Sequence, residues 1–238
     1  MCLGHTHAIS GACTGLAAGI LLHQPATADL VLAGFTAGFA VMPDMDKTGS
    51  CAARSLGPLS ELLAWTIGKL SGGHRHLTHA ALGVAVFTAL AWVACVFRGD
   101  DYGKAGLMLF LSLALAAGWS ALRFARGAVA DVLGIAAAAV VTFYGVGLAL
   151  VPLACLIGWS THIAGDLCTD SGVRILYPFS GRKFHLLPEP LAWTTGTDPE
   201  TVIVDPVLSV ALVILAAWVI DPAADRMAWA YVAHLAHL

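Results

Sequence analysis

Seven apolar runs, separated by polar segments, form the main pattern of this chain. The runs cover residues 8–22, 30–42, 80–97, 105–122, 128–150, 153–167 and 206–220. Several approach the roughly 20 residues that a helix needs to cross the hydrocarbon core of a bilayer. The first two are shorter and could be tilted, use flanking residues or lie partly inside the bundle. We therefore predict an all-α, polytopic membrane helix bundle of about seven apolar helices, some short or tilted, in a single transmembrane helical domain over residues 1–238.

Two long polar stretches, residues 43–79 and 168–204, interrupt the apolar runs and are predicted to contribute to a functional site. Inside the first stretch, residues 59–70 carry apolar side chains at helical spacing, with Glu61 and Lys69 on the other face. This pattern predicts a short amphipathic helix at the membrane interface. Later in the chain Pro152 separates two apolar runs, so we expect the turn between these helices at 151–152.

Composition supports a membrane protein and excludes a nucleic-acid-binding one. The chain is 58% hydrophobic and 11% charged, with a mean hydropathy of +0.81, whereas a soluble domain is about a quarter charged. A net charge of −3 and the absence of a Lys/Arg cluster argue against a nucleic-acid partner. The six cysteines show no CxxC spacing, and we interpret them as reduced thiols. The predicted partner is the lipid bilayer.

Four polar motifs carry the candidate chemistry. They are HTH at residues 5–7, DMD at 44–46, HRHLTH at 74–79 and HIAGD at 162–166. Imidazole and carboxylate groups together are the usual ligands of Zn²⁺, Mn²⁺ or Fe. His162 and Asp166 are four residues apart and share one helix face. Ionisable side chains at membrane depth are costly and by default mark a functional site.

Each motif also has a structural interpretation. The Asp44–Asp46 segment could be a solvated turn, and the His162–Asp166 pair could tie two helices together. In the HRHLTH segment, His74 and His79 cannot share a helix face, because five residues rotate a helix by roughly 500°. The sequence leaves open which histidines are ligands, although His7, next to a helix start, is favoured over His5.

The alternation of loops across the membrane brings the four motifs together. Seven spans place residues 1–7, 43–79, 123–127 and 168–204 on one face, and all four motifs lie on or next to that face. The same face receives nine Lys or Arg residues: Lys47, Arg54, Lys69, Arg75, Arg123, Arg126, Arg174, Arg182 and Lys183. The other face receives three: Arg98, Lys104 and Arg226. The positive-inside rule therefore predicts that the site lies on the cytoplasmic side of the cell membrane.

Together these motifs resemble a bacterial inner-membrane family described as metal-dependent hydrolases and as LexA-binding, inner-membrane-associated proteins. The resemblance covers nearly the whole chain. It rests on the motifs TH at 6–7, PDMD at 43–46, HRHLTH at 74–79, the His162/Asp166 pair, SGV at 171–173, YPFS at 177–180 and the segment from Thr195 to Glu200. Two positions depart from the family pattern. His76 stands where a small residue is usual, and Lys47 stands where a His is common.

The motifs and the resemblance together predict a membrane-embedded metal-dependent hydrolase. Its substrate would be an ester or phosphoester of a lipid or other membrane-proximal small molecule. One or two divalent ions are expected, Zn²⁺ for preference and Mn or Fe otherwise, with Asp44 or Asp46 as a candidate bridge. Arg75 would neutralise charge on a phosphoryl group, and His74 or Glu200 would act as general acid or base. The predicted ligands are His7, Asp44, Asp46, His79, His162 and Asp166.

Two other classes of function use the same residues. A metal-ion or proton transporter would use the His/Asp site as a transit site, because intramembrane His and Asp pairs are typical of such proteins. A membrane anchor that docks a soluble partner would hold the metal only for structure. The apolar composition of the opposite halves of the helices favours the hydrolase over the transporter, since an unpaired ion is costly to bury there.

Overall fold

A computed structural model describes residues 4–221. Within this range the regular elements are helices: α1 (Gly4–Leu21), α2 (Ala26–Phe39), α3 (Pro58–Leu70), α4 (Ala81–Val96), α5 (Asp101–Ala121), α6 (Ala128–Ala139), α7 (Val151–Leu167) and α8 (Asp205–Ile220). The described residues contain isolated β-bridges but no β-strands. This confirms the predicted all-α fold, with seven apolar helices and the short amphipathic α3. The predicted C-terminal tail, with Arg226, lies outside the described residues.

Four stretches are long and apolar enough to cross a membrane, judged by length and composition. They are Ala26–Asp46, Asp101–Ala121, Leu148–Leu167 and Pro199–Ile220, while Ala81–Val96 and Ala128–Tyr144 are shorter apolar helices. The stretches extend past α2, α7 and α8 because short 3-10 or π-helical turns continue those helices. The chain is therefore a multi-pass membrane protein.

The turn between α6 and α7 lies earlier than the sequence predicted. A π-helical turn at Val140–Tyr144 ends α6, and the chain reverses at residues 145–147. Gly145 and Gly147 both have positive φ, at 75° and 68°, which ends a helix without the steric penalty of a side chain. Pro152 instead lies in the first turn of α7, where its missing N–H has no helical partner to lose. The expected turn at 151–152 is therefore wrong by about one and a half helical turns.

Helix α3 has the amphipathic form predicted for an interfacial helix. Ser60 and Ala64 are its buried residues. Leu59, Leu62, Trp65 and Leu70 on its other sides are exposed. The ammonium group of Lys69 lies 5.9 Å from the centre of the Trp65 ring. An aromatic ring with an adjacent cation and exposed leucines is the surface that interfacial helices offer to lipid headgroups and acyl chains.

Small residues bring the central helices close together. A Cβ atom on Gly11 would lie 2.6 Å from the Thr36 carbonyl oxygen, and one on Gly38 would lie 2.6 Å from the Ala114 carbonyl oxygen. Gly158 meets α2 at the same Thr36 oxygen. Such contacts let α1, α5 and α7 pack directly against α2, as small residues do in membrane bundles. The resulting frame fixes the relative positions of the helix ends that carry the polar motifs.

Candidate metal centre

Helix ends and short turns from four parts of the chain supply the polar side chains. His7 lies in the first turns of α1, and the 3-10 turn Met42–Asp46 after α2 carries two carboxylates. His79 ends the 3-10 turn Leu77–His79 just before α4. The last turns of α7 hold His162 and Asp166, both buried. All of these side chains meet at one end of the bundle.

Distances between ligand atoms are short enough for shared metal ions. The Nε2 atom of His79 lies 3.1 Å from His162 Nε2. It also lies 3.6 Å from Asp44 Oδ1 and 3.6 Å from Asp166 Oδ2. Two groups offer ligand atoms within 4.8 Å of one another: His7, His162 and Asp166 form the first, and Asp44, His74 and His79 form the second. These residues could hold one or two metal ions.

Hydrogen bonds fix the orientation of two buried imidazoles. His162 Nδ1 lies 2.7 Å from the Ala40 carbonyl oxygen, so Nδ1 carries the proton and Nε2 keeps its lone pair. The Thr78 hydroxyl donates to Asp46, and it can therefore only accept from His79 Nδ1, at 2.9 Å. The neutral forms of His79 and His162 thus direct two Nε2 lone pairs at each other. Either a proton on the His79 ring or a metal ion held by both nitrogens would remove this repulsion.

The charge balance of the centre also suits a cation. Asp166 Oδ2 is buried and has no hydrogen-bond partner among the described residues. Burial disfavours the charged form of His79, yet hydrogen bonds and charge from Asp44 and Asp46 outweigh this and raise the pKa of His79 to about 9. The surroundings therefore favour a positive charge at the His79 ring. Imidazole with carboxylate is the donor set of Zn²⁺, Mn²⁺ and Fe, so the residues present fit such an ion.

Asp46 lies beside the two groups, and its oxygens are used by protein donors. Oδ1 lies 2.7 Å from His74 Nδ1. Oδ2 accepts from the Arg75 backbone N–H at 3.1 Å and from the Thr78 hydroxyl. Carboxylates in this position hold metal-binding imidazoles in one orientation. The structure thus separates Asp44, which faces the other ligand atoms, from Asp46, which supports the segment at 74–79.

Arg75 connects the supporting carboxylate to the centre. Its backbone has φ +61°, a left-handed conformation that is uncommon for residues other than glycine. In this conformation its N–H bonds Asp46, while its side-chain Nη2 donates to Asp166 Oδ1 at 2.7 Å. Non-glycine residues in strained backbone regions are concentrated at functional sites. The guanidinium group also faces a cavity.

This cavity has a volume of about 700 Å³ and lies beside the two groups of candidate metal ligands. His7, Asp44, His74 and Asp166 form part of its wall. Seven cationic residues line it as well: Lys47, Arg54, Arg75, Arg123, Arg126, Arg174 and Lys183. In the sequence these cations indicate mainly the orientation of the chain in the membrane. Their common membrane face was visible in the sequence, but their convergence on one cavity was not.

Three other residues that the sequence offers as candidate ligands or catalytic groups lie outside the two groups of ligand atoms. His5 joins helices, with Nδ1 at 2.8 Å from the Ala121 carbonyl oxygen and Nε2 at 3.4 Å from Asp205. His76 lies between the His74 carbonyl oxygen and the guanidinium group of Arg174. The Glu200 carboxylate accepts from the Gly196 N–H at 2.6 Å, and Glu200 is not among the cavity-lining residues.

Comparison with known proteins gives one match. No curated protein and no solved structure matches the chain. The family model described as YdjM inner membrane protein matches residues 1–237. The match spans all the residues that carry the candidate metal ligands, and it agrees with the inner-membrane family resembled by the motifs. The chain therefore belongs to the YdjM inner membrane protein family.

Proposed function

We propose that this protein is a membrane-embedded metal-dependent hydrolase of ester or phosphoester bonds. One observation carries the proposal most directly. The buried imidazoles of His79 and His162, whose neutral rings leave Nε2 for ligation, lie within 4 Å of Asp166, and Asp166 lines a cavity large enough for a small-molecule headgroup. A purely structural metal site is usually closed by protein ligands, whereas a catalytic one keeps an open position.

His7, Asp44, His79, His162 and Asp166 would hold one or two divalent ions, Zn²⁺ for preference and Mn or Fe otherwise. Asp44 and Asp166 each lie within 4 Å of both His79 and His162, so both carboxylates would supply ligand oxygens to the same centre. Asp46 is assigned a supporting role, because its oxygens already accept protein hydrogen bonds. A bound ion would lower the pKa of water and polarise the bond to be cleaved.

His74 is the candidate general base. Its side chain is 32% exposed, compared with 10% or less for His7, His79 and His162, so it can exchange protons with the cavity. Asp46 holds its Nδ1 proton and leaves Nε2 to accept one from water. In hydrolysis the water oxygen bonds to carbon or phosphorus, the bond to the leaving oxygen breaks, and the leaving oxygen takes the proton. Glu200 has no assigned part.

The proposed site faces the cytoplasm. The loops that line the cavity carry most of the chain's Lys and Arg residues, which are retained on the cytoplasmic side during insertion. In a cysteine-free background, Lys183→Cys should react with a membrane-impermeant maleimide only after the cells are permeabilised. Lys104→Cys should react in intact spheroplasts. The opposite pattern would place the site on the outer side.

A transporter is the second candidate, and Asp29 is the observation that favours it. This carboxylate is buried near the start of α2 and lines a second cavity of about 310 Å³ at the other end of the bundle. The cavities share no lining residue. Along α1 and α2 the fully buried Leu16 and Leu32 lie between them, and an ion would need to pass this apolar layer.

Metal analysis followed by two functional assays separates these candidates. Detergent-purified protein should retain a divalent metal and hydrolyse members of a panel of carboxylic esters, phosphomonoesters and phosphodiesters. The Asp166→Ala variant should lose both properties. Proteoliposomes containing the intact protein should show no metal flux. Flux that Asp166→Ala removes would establish the transporter, and retained metal with neither activity would leave a structural metal in a membrane anchor.

A further inference from the structure

Positive charge surrounds the candidate metal centre on its cavity side. Of the 12 Lys and Arg residues in the chain, seven line this one cavity, although the net charge of the chain is −3. The carboxylates in the same lining are Asp44 and Asp166, which are already assigned to the metal ions. Among the described residues, Arg75 is the one cation of the seven that forms an ion pair. The charge of the other six is available to a ligand.

Three separate loops supply these six cations, which we call the basic wall. Lys47 and Arg54 follow α2, Arg123 and Arg126 connect α5 to α6, and Arg174 and Lys183 belong to the long loop after α7. Membrane orientation alone requires cations on this face but does not require that they converge. A concave surface of one sign concentrates oppositely charged ligands.

The backbone at Arg123 indicates a role beyond topology. Helix α5 ends at Ala121, and Arg123 follows with φ +64°. At this position after a helix, the left-handed conformation strongly favours glycine, which has no Cβ atom. The chain instead places a cavity-lining arginine there. Arg75 in the same cavity also has positive φ, at 61°. Such exceptions are characteristic of functional sites.

Arg174 is held in place by His76, a residue of the segment at 74–79. Its Nη1 donates to His76 Nε2 at 2.9 Å. His76 Nδ1 therefore carries the ring proton and donates it to the His74 carbonyl oxygen at 3.0 Å. The Tyr177 ring packs edge-on against His76, with centroids 5.0 Å apart. His76 thus fixes a guanidinium group relative to His74.

A neutral donor completes the surface. The Thr195 hydroxyl oxygen is buried and has no hydrogen-bond partner among the described residues, and Thr195 lines the cavity. Buried hydroxyl groups normally have a partner. An anionic oxygen in the cavity would accept from this hydroxyl as well as from the arginines.

We infer that the basic wall binds a phosphate group with two or more negative charges, as in a phosphomonoester or a diphosphate. This inference rests on the proposed hydrolase and narrows its substrate class. Arginine forks match phosphate oxygens geometrically. A carboxylic ester is uncharged at the reacting group and a phosphodiester carries a single charge, so each would offset less of the positive charge than a phosphomonoester does. Phosphomonoesters carry roughly −1.5 to −2 at neutral pH.

The hydrolytic step on such a substrate is balanced by water alone. The water oxygen forms a bond to phosphorus, and the bond from phosphorus to the leaving oxygen breaks. One water proton passes to the leaving alcohol or phosphate, and inorganic phosphate is released from a monoester. The basic wall holds the non-bridging oxygens during this exchange and stabilises the charge on them.

Binding of inorganic phosphate to the detergent-purified protein tests the basic wall separately from activity. Calorimetric titration with inorganic phosphate should show binding, and titration with dimethyl phosphate, a single-charge diester, should show at least tenfold weaker binding. The double variant Arg123→Gln/Arg126→Gln should weaken phosphate binding at least tenfold while its metal content stays unchanged. The double variant Lys47→Gln/Lys183→Gln should also weaken phosphate binding at least tenfold without changing metal content. It replaces the first variant if that one fails to fold.

The matched control removes two positive charges elsewhere. Lys104 and Arg182 do not line the cavity. Lys104→Gln/Arg182→Gln should change phosphate affinity less than twofold. Equal weakening by the control variant would reduce the effect to net charge and overturn the inference. Phosphate binding that is absent in the intact protein, or unchanged by both wall variants, would overturn it as well.

Assays with two substrates distinguish a lipid headgroup from a soluble ligand. Phosphatidate in mixed micelles and glycerol 3-phosphate in solution carry the same phosphomonoester group. Faster phosphate release from phosphatidate would assign the wall to a lipid headgroup, and the reverse would assign it to a soluble phosphate. If phosphate binds but no ester is hydrolysed, the proposed hydrolase fails and the binding inference stands. If carboxylic esters are hydrolysed without phosphate binding, the inference fails and the hydrolase stands.

Discussion

The two ends of the helix bundle use polar residues in opposite ways. At the cavity end, side chains from distant parts of the chain contact one another: Arg75 binds Asp166, and His79 faces His162. At the other end, Asp100 accepts from the N–H of Gly103, three residues away, and caps the start of α5. Arg98 there donates to the carbonyl oxygen of Thr142 near the end of α6. Asp29 also lies at that end, and its side chain is buried.

This difference separates structural polar groups from candidate functional ones. Groups at the other end mainly satisfy helix termini, which any helix requires. Groups at the cavity end bring several like charges together and leave the Asp166 Oδ2 atom without a partner in the described chain. Such an arrangement is unfavourable without a ligand, and a bound cation resolves it. The comparison predicts large effects at one end and small effects at the other.

The largest expected effect is the loss of metal from Asp166→Asn. Removing the negative charge of a buried ligand should weaken metal binding at least about 100-fold. The matched change at the other end, Asp29→Asn, also neutralises a buried carboxylate and should leave metal content unchanged. Elemental analysis of both purified variants measures the effect. Equal metal loss from the two variants would remove the distinction between the ends.

The next effect concerns a supporting carboxylate. Asp46→Asn keeps the shape of the side chain but replaces an acceptor oxygen that serves His74, Arg75 or Thr78. We expect metal affinity to fall about 10- to 100-fold, as is usual for groups that orient ligands. Asp100→Asn at the other end should have no effect, because Asn caps helices as well as Asp does. Competition with a chelator measures both affinities, and a normal affinity in Asp46→Asn would contradict the supporting role.

Helix α2 should tolerate an added methyl group less well near the candidate metal centre than in its middle. A methyl group on Gly38 would meet the Ala114 carbonyl oxygen, whereas nothing lies within 4 Å of the corresponding position at Gly34. Gly38→Ala should lower the free energy of unfolding by about 1–3 kcal/mol. Gly34→Ala should leave it unchanged or raise it by up to about 1 kcal/mol. Unfolding in detergent provides the measurement, and equal destabilisation would refute the close contact.

The smallest expected effect compares two tryptophans. Trp159 Nε1 donates to the Thr78 carbonyl oxygen at 2.7 Å, next to the candidate ligand His79. Trp159→Phe leaves this carbonyl unpaired and should lower the free energy of unfolding by about 1–2 kcal/mol. Trp92 on α4 is 58% exposed, and Trp92→Phe should change the free energy of unfolding by less than about 0.5 kcal/mol. A larger effect at Trp92 would show that the exposed face of α4 is also packed.

Much of the fold followed from the sequence because membrane helices are encoded locally. Apolar runs predicted all seven apolar helices, and the spacing around Glu61 and Lys69 predicted α3. The sequence pattern places the turn between α6 and α7 wrongly, because Pro152 is equally typical of a helix break. Proline also fits the first turn of a helix, and two left-handed glycines determined the reversal instead. Local sequence did not distinguish these two uses of proline.

The end of the bundle at which each polar motif lies follows from the sequence, since alternating spans place the four motifs on one face. The individual contacts of these residues follow only from the packing of the helices. Asp44 and Asp46 are equivalent in the sequence, yet Asp44 faces His79 and His162 while Asp46 is surrounded by donors from residues 74–78. The convergence of six cations from three loops on one cavity was equally hidden. Contacts across long separations depend on how helices pack, and a local pattern does not encode that packing.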